Sequence, residues 1–366
     1  MLDTLIERIR AAHDSHTPLI IEGGGSKTFY GNPDEGEVLS TRKFTGVIDY
    51  QPKELVLTAR AGTPLADIEA LLAEQGQMLA FEPPHFGGAA TLGGSIAAGL
   101  SGPRRPYAGA ARDFVLGVRM IDGIGQPLRF GGQVIKNVAG YDVSRLMVGA
   151  LGTLGLITEV SLKVLPKPAA ETTLQFELDE AAAILKMNQW AGQPLPLSAT
   201  SWHAGLLTVR LSGAASAVHA AHARLGGEAL QDASAFWQRL RDQATPFFDK
   251  RPLWRLAVKP TTPPMKRGDA QWIEWGGAVR WLASDLSAAT LREAAKTAGG
   301  HASLFRGDLL PTPLPHAGEG ANVMPNAIND GAFAPLAPAL ATLHRALKQR
   351  FDPRGIFNRG RMYPDF

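Results

Sequence analysis

Residues 23–27, Gly-Gly-Gly-Ser-Lys, have the composition of a phosphate-binding turn. Successive glycines can direct several backbone N–H groups into one concavity, an anion-binding nest, and Lys27 adds a positive charge beside it. The apolar run PLII directly before the turn predicts a short strand that would position it. A flexible surface turn is the alternative interpretation of these residues.

The turn fits neither of the two most familiar phosphate-binding patterns. In the P-loop pattern G-x-x-x-x-G-K-[ST], with Lys27 as the lysine, the glycine positions fall on Ile21 and Ser26. In the dinucleotide pattern G-x-G-x-x-G, begun at Gly23, the third glycine is replaced by Thr28. The next residues, FYGNPDEGEV, are rich in turn formers and do not open a helix. We therefore expect backbone N–H groups, without a helix dipole, to hold the anion.

A second glycine-rich stretch, EPPHFGGAATLGGSIAAGLSGPRRPYAG, covers residues 82–109. It shows no strand or helix periodicity before a short helical pattern at residues 94–100. A long glycine-rich loop inside a compact domain is usually a binding feature. Arg104, Arg105 and Arg112 stand at its end, where they could face a ligand or lie on the surface.

Periodicity predicts the elements that would position these two stretches. The apolar residues within 2–9 have the spacing of an amphipathic helix. Thr63-Pro64 supplies the N-cap and first position of a helix that Gly76 ends. Apolar and polar residues alternate over 158–164, which predicts a half-buried strand. Further strands are predicted at GVIDY and LVLTARAG, and a hairpin at DFVLGVRMID and PLRFGG.

Changes in composition predict four segments. Residues 1–168 form the first domain, which ends at Pro166-Lys167-Pro168. Residues 169–308 alternate strand-like and alanine-rich helical stretches, as in a separate α+β domain. Residues 309–333 are rich in Pro, Gly and Asn, which predicts a mobile loop, and residues 334–366 form a helix and tail. One face of that helix carries Leu336, Leu340, Leu343 and Leu347, and the helix breaks at Asp352-Pro353.

The composition excludes several classes of protein. A formal charge of +3 over 366 residues gives no general affinity for nucleic acid. The absence of cysteine excludes disulfides, thiolate zinc sites and a cysteine-ligated iron–sulfur cluster within this chain. No apolar run has the roughly 18 residues of a membrane span. Charged residues interrupt the apolar N-terminus, so this segment lacks the pattern of a signal peptide. We therefore expect a cytoplasmic location.

Five motifs in register resemble the FAD-binding fold of the vanillyl-alcohol-oxidase and p-cresol-methylhydroxylase type. They are IIEGGGSKTFYG, PPHFGGAATLGGSIA, GAARDFVLGVRMID, KNVAGYDVSRLMVGALGTLGLITEV and FDPRGIFNRGRM. Their order and spacing match over residues 15–168 and 335–366. The resemblance implies an α+β protein, with a two-lobed FAD-binding domain and a smaller α+β cap or substrate domain. Over most of its length the chain is similar to the FAD-binding subunits of bacterial glycolate oxidases.

The resemblance also implies the residues that contact FAD. The pyrophosphate would be lined by Gly23, Gly24, Gly25, Ser26 and Lys27. The flavin and ribityl chain would pass Pro84, Thr91, Gly93, Gly94, Ser95 and Ala97. The adenine or ribose end would meet Gly155 and Ile157, and Asn358 would lie near the isoalloxazine, although related sequences carry Pro where this chain has Arg359. FAD should be noncovalent, because the chain has no Cys and we interpret His85 as a polar loop residue.

Catalytic residues could not be assigned from the sequence. Oxidation of a 2-hydroxy acid needs a carboxylate clamp, usually Arg, and a base for the hydroxyl proton. Long relatives in the family carry a metal-binding H-x-G-D-G-N-x-H stretch, to which residues 316–322, HAGEGAN, are a poor match. We expect no metal site. The other histidines are scattered, as structural histidines usually are.

Three functions remain open from the sequence. The preferred one is a flavin subunit of a glycolate oxidase complex, beside a longer catalytic flavin subunit and an iron–sulfur subunit, acting on a small 2-hydroxy acid. Such a subunit would be cytoplasmic, or peripheral at the inner membrane through its partners. The alternatives are a stand-alone FAD-dependent hydroxy-acid dehydrogenase, and a non-catalytic assembly subunit that retains the fold.

Overall fold

The computed structural model describes residues 1–132, 142–265, 270–307, 331–364 and 366. The strands are β1 (Leu19–Glu22), β2 (Glu37–Ser40), β3 (Val47–Gln51), β4 (Val56–Arg60), β5 (Gln77–Met78), β6 (Val115–Ile121), β7 (Pro127–Gly131), β8 (Leu156–Lys163), β9 (Leu165–Pro166), β10 (Ala170–Glu177), β11 (Leu197–His203), β12 (Leu206–Gly213), β13 (Glu228–Ala229), β14 (Leu253–Ala257), β15 (Gln271–Glu274), β16 (Val279–Ala283) and β17 (His301–Arg306). The helices are α1 (Leu2–Ser15), α2 (Leu65–Glu74), α3 (Leu92–Ala98), α4 (Arg105–Ala108), α5 (Ala111–Phe114), α6 (Val143–Leu146), α7 (Glu180–Ala191), α8 (Ala215–Leu225), α9 (Ala233–Arg241), α10 (Ala288–Thr297) and α11 (Pro338–Phe351), with short 3₁₀ turns at Pro246–Asp249 and Trp275–Gly277.

The strand before the glycine turn, β1, pairs in parallel with β2. The end of the chain lies along the other side of β1. There the Leu19 N–H donates to the Ile356 carbonyl at 2.7 Å, and the Asn358 N–H donates to the Leu19 carbonyl at 2.9 Å. The N-terminal helix α1 covers this layer with the buried residues Leu5 and Ile9. The glycine turn therefore starts from a strand that is held on both edges.

The first large sheet is antiparallel and has the order β3-β4-β8-β6-β7. The hairpin predicted from DFVLGVRMID and PLRFGG is confirmed as β6 and β7. The prediction that 158–164 forms a half-buried strand is wrong, because β8 is the central strand and is buried almost throughout. Ser161 on its polar face is 7% exposed and hydrogen-bonds Thr58 at 2.9 Å. Both faces of β8 are buried because it lies in the middle of the sheet, and the alternation of apolar and polar residues does not encode that position.

The second large sheet has eight strands in the order β13-β10-β12-β11-β15-β16-β14-β17. All of its pairs are antiparallel, and α7, α8 and α10 supply buried apolar residues to the cores on it. The strand-like segments predicted within 169–308 lie in this sheet. It brings β14, β15 and β16 together as neighbours, which places residues far apart in sequence at one end of the sheet.

Two helix predictions need correction. Helix α2 begins at Leu65 with Pro64 as its N-cap, one residue later than predicted. Helix α11 begins at Pro338, so Leu336 precedes it, and its leucines do not form a buried face: Leu340 and Leu343 are 49% and 55% exposed. The helix is held instead near its C-terminus, where Lys348 is buried.

Two sequence predictions lie outside the described residues. The HAGEGAN stretch falls wholly within 308–330, and so does most of the loop predicted at 309–333. Among the helices of the described part of the chain, none combines the length and apolar character that crossing a membrane requires.

Candidate functional site

The glycine turn after β1 presents open hydrogen-bond donors. In the described part of the chain, the backbone N–H groups of four residues donate no hydrogen bond: Gly24, Gly25, Ser26 and Lys27. Gly25 has φ +75°, a left-handed conformation that lets successive N–H groups converge. A cavity of about 110 Å³ lies against this turn. Four unpaired donors beside a cavity fit an anionic group such as a pyrophosphate.

The second glycine-rich stretch packs directly on this turn. A Cβ placed on Gly24 would overlap the carbonyl oxygen of Ala89, and one placed on Gly23 would overlap the side-chain hydroxyl of Thr91. Thr91 is also the N-cap of α3, where its Oγ1 accepts from the Gly94 N–H at 3.3 Å. The two glycine-rich stretches are thus in backbone contact, and they form one wall of the same cavity.

Lys27 lies at the edge of the turn without a carboxylate partner in the described residues. Its Nζ donates to Ser26 Oγ at 3.2 Å and lies 5.5 Å from the centroid of the Phe86 ring. Burial lowers the pKa of Lys27 to about 8, and Asp242 opposes this only in part. An ammonium group that is partly desolvated and has no counter-ion is suited to an anionic ligand.

FAD affinity is expected to fall as pH rises through about 8. The lowered pKa means that Lys27 loses its proton near that pH, and a neutral amine does not attract a pyrophosphate. From pH 7 to pH 9 we expect the Kd for FAD to rise about tenfold. Lys27→Met should bind about 10- to 100-fold more weakly at pH 7 and lose this pH dependence.

Fluorescence titration of the chain with FAD at several pH values would test this. The matched control is Lys53→Met, because Lys53 lies exposed in the turn between β3 and β4. A pH profile that is the same in Lys27→Met as in the unsubstituted chain would rule out Lys27 as the titrating group.

A smaller cavity of about 60 Å³ continues from the first on the side of β8. Gly155 and Ile157 line it together with Gly93, Gly94 and Ala97. Gly155 is required by close packing, since a Cβ there would lie 2.8 Å from the Ile121 carbonyl oxygen. The predicted residues of the pyrophosphate and adenine ends thus line two neighbouring cavities, with Gly23, Gly94 and Ala97 common to both.

Asn358, expected near the isoalloxazine, lies between these two small cavities. Its Oδ1 accepts from the Ile21 N–H at 2.7 Å, and its Nδ2 donates to the Leu151 carbonyl at 2.6 Å. The side chain is 5% exposed and links β1 to the segment before β8. Through these two hydrogen bonds, Asn358 positions β1, the strand before the glycine turn.

Three other predicted residues differ in their surroundings. Pro84 lines a third and larger cavity, on the side of the eight-stranded sheet. Ser95 is 1% exposed, lines none of the three cavities, and its hydroxyl has no partner among the described residues. The Nε2 atom of His85 lies 3.2 Å from Glu69 Oε2, so the His85 ring faces a carboxylate.

The third cavity has a volume of about 470 Å³ and lies between the second glycine-rich stretch and the eight-stranded sheet. It adjoins the cavity at the glycine turn, since Ala98 lines both. From the sheet, β14 contributes Arg255, β15 contributes Glu274 and β17 contributes His301. The sequence predicts no role for Arg255 or Glu274, because neither belongs to a motif and only the sheet brings them together.

The three arginines near the end of the second glycine-rich stretch have different roles. Arg104 is buried and pairs with Glu82 at 3.3 Å and with Glu171 at 2.8 Å, so it joins the two parts of the chain structurally. Arg105 and Arg112 line the large cavity from its exposed side.

Comparisons with known proteins agree with this geometry. A family model described as "FAD binding domain" matches residues 2–131. Glycolate oxidase subunit GlcE of Escherichia coli (strain K12) is 46% identical over 362 residues, which cover 99% of this chain and 97% of the relative. Glycolate oxidase subunit GlcD of Bacillus subtilis (strain 168) is 34% identical over 183 residues, covering 49% of this chain and 39% of the relative.

Two further likenesses are more distant. D-lactate dehydrogenase of Archaeoglobus fulgidus is 33% identical over 169 residues, which cover 45% of this chain and 37% of the relative. An alkyldihydroxyacetonephosphate synthase structure has a TM-score of 0.62 at 16% identity, covering 97% of this chain and 74% of that one. This last likeness shows the fold alone, and with the family match it confirms the expected α+β FAD-binding fold.

Proposed function

Because the chain belongs to the glycolate oxidase subunit GlcE family, we propose that it is the FAD-binding subunit of a complex that oxidises glycolate or a similar 2-hydroxy acid. The observation that carries the proposal is the glycine turn, with four unpaired N–H groups and an uncompensated Lys27 beside a cavity. The family match over residues 2–131 includes that turn and names FAD as the ligand.

The residues of the described cavities fit FAD. We propose that Gly23, Gly24, Gly25, Ser26 and Lys27 hold the pyrophosphate, that Gly155 and Ile157 line the adenine or ribose end, and that Pro84, Thr91, Gly93, Gly94 and Ala97 lie along the ribityl chain and flavin. FAD, when bound, supplies the acceptor for a hydride. The protein's part is to bind and orient this group, and noncovalent binding agrees with the orientation of His85 towards Glu69.

We further propose that electrons leave this chain for a partner. The 366 residues contain no cysteine, so they cannot ligate a cluster through thiolates. The partners would be a longer catalytic flavin subunit and an iron–sulfur subunit. The complex would be cytoplasmic or peripheral at the inner membrane through those partners.

One observation favours the second candidate, a dehydrogenase that works alone. The large cavity contains an arginine and a titratable carboxyl group, Arg255 and Glu274, which are the residue types that hydroxy-acid oxidation needs. No such base could be assigned from the sequence. The stand-alone enzyme therefore requires a test of its own.

The experiment is an absorbance spectrum of the purified chain, followed by anaerobic addition of glycolate. We expect a flavin spectrum. Bleaching by glycolate would place oxidation within this chain and favour the stand-alone enzyme, whereas an unchanged oxidised spectrum would favour the complex. A chain that shows no flavin, even after FAD is added, would refute the FAD-binding function and favour the assembly subunit.

A further inference from the structure

The large cavity contains an arginine without a protein partner. Arg255 lies on β14 and lines the cavity, and among the described residues no hydrogen bond or ion pair reaches its guanidinium group. Its charge centre lies 5.0 Å from the ring centroid of Trp275 and 5.8 Å from that of Trp281. Burying a charge without a counter-ion is unfavourable. A guanidinium held in this way is therefore available to a ligand.

Two other arginines of the same eight-stranded sheet do have such partners. Arg210 on β12 donates to Glu82 Oε1 at 2.8 Å, and Arg280 on β16 lies 3.3 Å from Glu180 Oε1. Arg255 differs from both. At the exposed side of the same cavity, Arg105 lies 4.4 Å from the centroid of the Trp275 ring, and no hydrogen bond or ion pair reaches its side chain in the described residues. The cavity therefore has a half-buried cation, Arg255, and the exposed cations Arg105 and Arg112 at its rim.

The carboxyl group in the cavity does not neutralise these cations at pH 7. Glu274 is 6% exposed, and its Oε1 accepts from Trp281 Nε1 at 3.3 Å. Burial raises the pKa of Glu274 to about 8, although Trp281 and Arg255 act in the opposite direction and Glu82 adds to the rise. Since burial and Arg255 lower the pKa of His301, this ring is neutral at pH 7 as well. The interior is thus positive at neutral pH.

We propose that this cavity is an anion site for a small 2-hydroxy acid, in which Arg255 binds the carboxylate and Glu274 hydrogen-bonds the hydroxyl group. The guanidinium fork matches a planar carboxylate. Arg105 at the rim attracts the anion and guides it inward. The inference rests on the proposed function for its substrate class. Glycolate, the smallest 2-hydroxy acid, is therefore the probe.

Position in the fold supports the choice of ligand. The cavity adjoins the one at the glycine turn through Ala98, and Pro84 and Phe86 of the second glycine-rich stretch form part of its wall. An acid held by Arg255 would thus lie beside the region proposed for the flavin. Much of the remaining lining is apolar or aromatic, including Leu100, Val279 and Phe305.

The test measures binding, independently of turnover. The chain, reconstituted with FAD, is titrated anaerobically with glycolate by calorimetry and by tryptophan fluorescence, which Trp275 and Trp281 beside Arg255 should report. We expect saturable binding of one glycolate and none of ethylene glycol, which lacks the carboxylate. Arg255→Met should weaken glycolate binding about 10- to 100-fold, and Arg255→Lys should restore only part of it.

Arg119→Met is the matched control. Arg119 pairs with Glu159 at 3.1 Å outside this cavity, so this substitution should leave glycolate affinity unchanged. Should Arg255→Met fail to fold, as judged by its circular dichroism, Arg105→Met tests the same site from its rim and should weaken binding by a smaller factor. Glycolate that binds Arg255→Met or Arg105→Met as tightly as the unsubstituted chain overturns the proposal.

The two proposals fail in distinguishable ways. A chain that retains FAD but binds no glycolate overturns the anion site and leaves the FAD-binding function standing. A chain that binds no FAD overturns the proposed function, and the same titration on the FAD-free chain then decides the anion site alone. Glycolate affinity should also fall as pH rises through about 8, because Glu274 then becomes negative beside the bound anion. In Glu274→Gln this pH dependence should be absent.

Discussion

Gly24→Ala is expected to weaken FAD binding by at least about 100-fold. The new Cβ would overlap the carbonyl oxygen of Ala89, which is a backbone atom and cannot rotate away. The turn and the second glycine-rich stretch must therefore separate, which moves the N–H groups of residues 24–27 out of register with the pyrophosphate. Losing two hydrogen bonds to a charged group costs about 1.5–3 kcal/mol each, and this gives the factor stated.

The matched control for this variant is Gly88→Ala in the same glycine-rich stretch. A Cβ on Gly88 would have no atom within 4 Å, and Gly88 is exposed. The same chemical change should therefore leave FAD affinity nearly unaltered. Equilibrium titration with FAD measures both variants, and thermal unfolding shows whether Gly24→Ala is folded. Equal FAD affinity in the two variants would refute the placement of the pyrophosphate at this turn.

Local patterns predicted much of the FAD-binding part, because its features are local in sequence. Three adjacent glycines specify a turn with converging N–H groups, and the hairpin β6–β7 follows from two alternating runs joined by a short turn. The contact between Gly24 and Ala89 joins two stretches about 65 residues apart, and glycine content in both was its only signal. Burial of Ser161 was missed, since alternation cannot tell a central strand from an edge strand.

The large cavity could not be found from sequence, for a physical reason. Arg255, Glu274 and His301 lie on three strands of one sheet, and their neighbours in sequence resemble those of many other strand residues. What sets Arg255 apart is that none of the described carboxylates lies within ion-pair distance of its guanidinium group, whereas Arg104 and Arg210 each have such a partner. That distinction exists only after the sheet has formed. The fold, not the residue type, identifies the candidate site.

Lys348→Met is expected to lower the free energy of unfolding by about 3–5 kcal/mol, the cost of removing one partner from a buried ion pair. Lys348 Nζ donates to Asp352 Oδ2 at 2.7 Å and to the carbonyl groups of Thr153 and Phe357 at 2.8 and 2.9 Å. Asp352 is 1% exposed and also accepts from the N–H groups of Ile356 and Phe357. Methionine fills similar space but leaves the carboxylate without its cation and two carbonyl groups without a donor.

Chemical denaturation of Lys348→Met and of the control Lys296→Met would measure this effect. Lys296 also faces a carboxylate, Glu293, but at 3.9 Å and with 79% of its side chain exposed, so its loss should have no measurable effect. The loss of Lys348 should also weaken FAD binding, because the segment it anchors continues to Asn358, which holds the strand before the glycine turn. Stability equal to that of Lys296→Met would mean that other contacts fix this segment, and that the C-terminal tail does not depend on the buried pair to support the FAD site.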